Sequence, residues 1–251
     1  MGSDGAATLG SFEHYTARQP TPKLSVIDDS LIFGMSGPVG LGQRLHGCIE
    51  MLWKERQKTW PLQLPLLLDL FRSNLWRFIE PEYRAAAVAQ QCLGPAASTS
   101  ARCQSILALP IQDQPFLIQF DHQASPEYAT EELPFIAIGG GQEIADPFLA
   151  FLREIFWQER RPSLADGIFA ACWTLEHAIR VNPGGVGPPL QLAVLERKEG
   201  KWTARLIDEV EMEEHKQAIG RAEDHLRAFP LSPDAAKEFE KKVPPPPEPK
   251  D

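Results

Sequence analysis

Apolar and polar residues change period several times along this chain, and each change marks a strand or a helix. Leu24 and Val26, then Leu31 to Met35, predict two strands around Asp28, Asp29 and Ser30, whose short polar side chains favour a tight turn. Over 41–53 the apolar positions are Leu41, Leu45, Cys48, Ile49, Leu52 and Trp53, one face of a helix. A second helical stretch covers 62–91, and Pro81 predicts a break beside Glu80 because proline cannot continue the hydrogen-bond ladder. Residues 94–100 read as loop, followed by strands at 105–109, 116–120 and 135–138. Two helices come next. Phe148, Phe151, Leu152, Ile155 and Phe156 line one face of the first, which Asp146 as N-cap and Pro147 at the first position would open. Leu164, Ile168, Ala171, Leu175, Ala178 and Ile179 line the second, with Ser163 and Asp166 placed as a capping box. Residues 190–195 and 202–207 read as a hairpin around Gly200, and a charged helix over 212–229 closes the pattern. Near the start, Asp4 and Gly5 signal a turn, 6–11 reads as a short strand, and Pro20 and Pro22 bracket a loop ending at Lys23.

The order strands, helix pair, strands, helix pair, strands is neither a βαβ series nor a solenoid repeat. It predicts an α+β fold, a four-layer αββα sandwich of two sheets packed face to face with helices outside. The expected domain spans 1–230. Beyond it, 231–251 ends in Lys241, Lys242, Val243 and a run of prolines, which cannot bury a core and reads as a PPII-like tail.

Composition narrows the function classes. The chain has 251 residues, 43% hydrophobic and 24% charged, enough for a substantial core, and its net charge of −9 argues against nucleic acid and anionic membranes as partners. The greasiest stretch, 61–71, is interrupted by Gln63, Pro65 and Asp69, so neither a membrane span nor a secretory leader is expected. Cys48, Cys92, Cys103 and Cys172 form no Cys-x-x-Cys pair, so no disulfide framework or zinc site is signalled and a cytoplasmic location is the expectation.

Other motifs favour structural roles. His14, His46, His122, His177, His215 and His225 have no metal-ligand spacing, and Gly139, Gly140 and Gly141 lack a nucleotide-binding pattern, so no cofactor or metal is expected. Ser36 lies outside any Gly-x-Ser-x-Gly elbow. Trp53, Trp60, Trp76, Trp157 and Trp173 fall in predicted helices and read as core or subunit-interface residues.

Four pieces taken in order carry a family resemblance. They are Asp4-Gly5 before a short strand, the hairpin from Lys23 to Met35-Ser36-Gly37, Ala137-Ile138-Gly139-Gly140-Gly141-Gln142 before a helix, and Gly184-Gly185-Val186-Gly187 before a strand. Together they resemble proteasome-type β subunits of the N-terminal-nucleophile (Ntn) hydrolase superfamily, as a divergent, bacterial-like member. The resemblance implies subunits that assemble into rings, with themselves or with paralogues, through outer helices. It also implies hydrolysis of unfolded polypeptide by an N-terminal threonine. In that chemistry the threonine's own amine takes the hydroxyl proton, a lysine held by an aspartate eases the transfer, and a backbone N–H stabilises the oxyanion.

Carried over by position, the lysine is Lys23 and the oxyanion donor is the Gly37 N–H. The lysine's aspartate falls near Ser11, with Glu13 or His14 as stand-ins. The orienting serine falls on Gly140 and the second aspartate on Asn182, so these three positions depart from the pattern, and the threonine would precede Met1. The first expectation is therefore a non-catalytic structural or regulatory subunit. The alternative is an active threonine peptidase whose nucleophile lies upstream of Met1.

Overall fold

A computed structural model describes residues 1–8, 18–20, 22–61, 63–94, 102–158, 160–182 and 185–229. The chain opens with β1 (Gly2–Ser3), β2 (Ala6–Thr8) and β3 (Arg18–Pro20), the last two pairing as a small ribbon. Then follow β4 (Leu24–Ile27), β5 (Leu31–Ser36), α1 (Val39–Lys54), α2 (Arg56–Thr59) and α3 (Leu64–Leu93). Strands β6 (Gln104–Ile111), β7 (Gln114–Phe120) and β8 (Pro126–Tyr128) complete a five-stranded antiparallel sheet in the order β4-β5-β6-β7-β8. After α4 (Gln142–Phe156) and α5 (Leu164–Val181), β9 (Gln191–Lys198) and β10 (Lys201–Leu206) join β1 in a three-stranded sheet, and α6 (Glu209–Ala228) follows.

Side-chain alternation divides this chain into four layers. Leu31 and Phe33 of β5, with Leu107 and Leu109 of β6, face Leu45, Ile49, Trp53, Phe71 and Leu75 of α1 and α3. Leu192 and Val194 of β9 face Leu152, Trp173 and Ile219 of the other helices. Ile32, Ala108 and Ala193, between them in sequence, point the opposite way and meet Leu24 and Ala204 between the sheets. The period of two along each strand thus builds two outer cores and one inner core, and the alanines keep the inner one thin. This is the α+β, four-layer αββα sandwich that the element order predicts.

Several elements differ from the sequence expectation. Residues 135–138 form no strand; β8 already occupies the free edge of β7, and Pro134 brings no N–H to a ladder. Pro81 does not break α3, which runs through it. Leu67, Phe71, Leu75, Ile79 and Ala86 keep one buried face across the proline, while Pro81 itself is exposed, so water can reach the carbonyl that loses its donor. Helix α4 starts at Gln142 after Gly141, so Asp146 is not its N-cap and Pro147 lies inside it. Strands β1, β3 and β8 and helix α2 are additions, and residues 230–251 lie outside the described ones. Among the described residues no helix is long and apolar enough to cross a membrane.

Candidate functional site

Strand β1 is short, but its pairing sets the site. Gly2 pairs with Leu192 and Ser3 with Gln191, and the Met1 amine donates to the Ala193 carbonyl at 2.7 Å, where burial pushes its pKa down to about 6. Gly2 lies where a Cβ would strike the side chains of Leu175 and Leu192, so glycine lets β1 seat beneath α5. The chain then turns at Asp4 and Gly5. The Gly5 N–H donates to the Gly187 carbonyl at 2.8 Å, and the Gly187 N–H returns a bond of 3.1 Å to Asp4 Oδ2. A side chain at Gly5 would fall 2.5 Å from the Pro189 carbonyl oxygen, so this approach requires glycine.

Asp4 is thereby buried to 8% exposure, and both of its carboxylate oxygens accept hydrogen bonds. Oδ2 also accepts from the Ala6 N–H at 3.0 Å, while Oδ1 accepts from Lys23 Nζ at 2.6 Å. Lys23 is positioned separately, at the entrance to β4, where its N–H donates to Gln191 Oε1 at 3.0 Å. An ammonium and a carboxylate are thus fixed together, with side chains 24% and 11% exposed. Two hydroxyls flank the pair in sequence, those of Ser3 and Ser25, both buried with no hydrogen-bond partner. Leaving such groups unsatisfied costs about 1–3 kcal/mol each.

The other positions singled out by the resemblance form a connected set. Gly37 follows β5 at φ +131°, where a Cβ would lie 2.5 Å from the Arg102 carbonyl oxygen. The neighbouring Ser36 packs on Gly139, whose N–H donates to Gln104 Oε1 at 3.0 Å. Asn182 Nδ2 donates to the Gly140 carbonyl at 3.3 Å, so these two residues, from the start of α4 and the end of α5, do meet. Asn182 also packs on Gly185, two residues before the Gly187 that holds Asp4. Ser11, Glu13 and His14 lie outside the described residues. The carboxylate on Lys23 is that of Asp4, a residue whose sequence context signals only a turn. A half-buried ammonium held by a carboxylate beside backbone N–H donors can stabilise developing negative charge and ease proton transfer.

No family model matches the chain, and no curated protein matches it in sequence. Solved structures do. Anbu (ancestral beta-subunit) from Yersinia bercovieri superposes with a TM-score of 0.65 at 15% identity, covering 92% of this chain and 93% of that one. The fold is that of Anbu. The Anbu complex from Pseudomonas aeruginosa, solved as a helical assembly, gives a TM-score of 0.63 at 17% identity over 93% of both chains. A Gly-1 mutant of Anbu from Hyphomicrobium sp. strain MC1 gives 0.61 at 15% identity over 92% of both. These findings correct the family reading. The neighbours are Anbu proteins rather than a divergent, bacterial-like proteasome β subunit, and at such identities the likeness to Anbu is one of fold.

Proposed function

We propose that this chain is an Anbu-like, proteasome-like subunit that assembles with copies of itself. The observation that carries the reading is the match to Anbu chains over 92–93% of each chain, one of them solved as a helical assembly. Exposed apolar side chains on the outer helices support it: Phe151, Ile155 and Phe156 of α4, Leu164 of α5, and Leu66 and Val88 of α3. Its role within the particle is structural or regulatory, because Gly140 and Asn182 offer neither the serine nor the carboxylate of a threonine-peptidase site. Light scattering on the purified chain tests this reading, which requires particles several times the 28.0 kDa chain mass.

One observation favours a second reading. Asp4 supplies Lys23 with the carboxylate that its hydrolytic role would need. In that reading the assembly hydrolyses unfolded polypeptide, with a threonine preceding Met1 as nucleophile, Lys23 easing its proton transfer and the Gly37 N–H as oxyanion donor. Fluorogenic peptide hydrolysis that is blocked by a threonine-directed electrophile and lost in Lys23→Ala would support it; an assembled but inert particle would contradict it.

A further inference from the structure

At the far end of β4 from Lys23, about 15 Å along the strand, the sandwich carries an open cleft of about 690 Å³. Three hairpin tips and the end of α1 enclose it. Asp28, Asp29 and Ser30 come from the β4–β5 turn, Gln112 and Asp113 from the β6–β7 turn, and Lys201 and Trp202 from the start of β10. Trp53, Arg56 and Trp60 form the opposite wall. The tips are tied down: the Ala204 N–H donates to the Asp29 carbonyl, and Asp113 accepts from Trp202 Nε1 at 3.1 Å and pairs with Arg197 at 2.8 Å. Asp28, Asp29, Gln112 and Asp113 all hold left-handed φ angles, between 47° and 64°.

The cleft offers both signs of charge around indole rings. The carboxylates of Asp28 and Asp29 make no hydrogen bond or ion pair among the described residues; Asp28 acts on Lys54 only through space. Lys201 has no carboxylate partner there either. Arg56 stacks 4.1 Å over the Trp53 ring and spends one donor on the Trp53 carbonyl, leaving the rest of its guanidinium available. The indole N–H groups of Trp53 and Trp60 are buried without any acceptor. Two adjacent anions, two cations and indole rings describe one ligand chemistry: a positive end, a negative end and an apolar side chain.

We propose that this cleft binds a short peptide by its two charged ends. The amino terminus lies against Asp28 and Asp29, the carboxylate against Arg56 and Lys201, and an apolar side chain sits among Trp53, Trp60 and Trp202. The site stands apart from the Lys23–Asp4 pair and does not depend on how that pair is read.

Titration of the full chain with the tripeptide Phe-Gly-Gly, followed by calorimetry and tryptophan fluorescence, tests the assignment. Saturable binding is expected. Acetylating and amidating the two ends should weaken it about tenfold or more, the effect of losing a charge-assisted contact. Asp28→Asn with Asp29→Asn should weaken it similarly, since asparagine keeps the left-handed turn while removing the charge; so should Lys201→Ala, at an exposed position. Absence of saturable binding up to about 10 mM, or binding indifferent to blocked ends and to these substitutions, would overturn it.

Discussion

Lys23 Nζ lies 2.6 Å from Asp4 Oδ1, across nineteen residues of sequence, and Asp4 is locked in turn by the N–H groups of Ala6 and Gly187. The carboxylate therefore joins three segments, the end of β1, the entrance to β4 and the loop before β9. Lys23 contributes only one of the contacts.

Unequal costs follow for the two partners. Asp4→Ala removes the ion pair and orphans two backbone donors, so it should destabilise the fold by about 2–4 kcal/mol. Lys23→Met keeps the Asp4 bonds to Ala6 and Gly187 and should cost less, about 1–2 kcal/mol. Urea unfolding of both variants checks the order; equal losses would mean that the backbone bonds to Asp4 contribute nothing.

Two glycine substitutions should move stability in opposite directions. Gly5→Ala would drive a methyl to 2.5 Å from the Pro189 backbone oxygen, a contact that no side-chain rotation relieves, and should cost about 1–3 kcal/mol. Gly47→Ala lies in α1 with open space around the new methyl and should stabilise by about 0.5–1 kcal/mol through helix propensity. Thermal melts of the pair compare the two signs directly.

Helix α6 should loosen in acid. Only Ile219 of this helix is buried, so its docking relies on polar clamps. Glu223 accepts from Arg180, Trp173 and Arg227, and Glu211 accepts from Arg205. The Arg180 bond holds the Glu223 carboxyl below its ordinary value of 4.5, and the Arg205 bond does the same for Glu211. Carboxyls depressed in the fold contribute stability that is present above 4.5 and lost as pH falls through the folded value. Glu176 has the opposite sign, because burial raises its pKa. Comparing the chain with Glu223→Gln isolates one clamp: the stability difference should shrink as pH falls below about 4.5. A difference that does not change with pH would show that the Glu223 charge plays no part.

Much of this architecture was legible because it is local. The face Leu41, Leu45, Cys48, Ile49, Leu52 and Trp53 is the buried face of α1, and Ser163 with Asp166 forms the capping box that their spacing predicts. What escaped depends on distant partners. Residues 135–138 have strand composition but no open edge to join, and α3 passes through Pro81 because its buried stripe continues on both sides. Asp4 escaped for the same reason. Its role follows from Gly2 pairing with Leu192 at the other end of the fold, and no local period encodes that contact. The resemblance points to Gly140 and Asn182 separately, and their contact is visible only in the fold; the position it gives for the lysine's aspartate, near Ser11, lies outside the described residues.

The most direct test of the assembly reading is multi-angle light scattering of the full chain during size exclusion, with electron microscopy of the peak. A subunit of an Anbu-like particle predicts a mass that is a multiple of 28.0 kDa and a repeating ring or helical outline. A monodisperse 28.0 kDa monomer at micromolar concentration would contradict it.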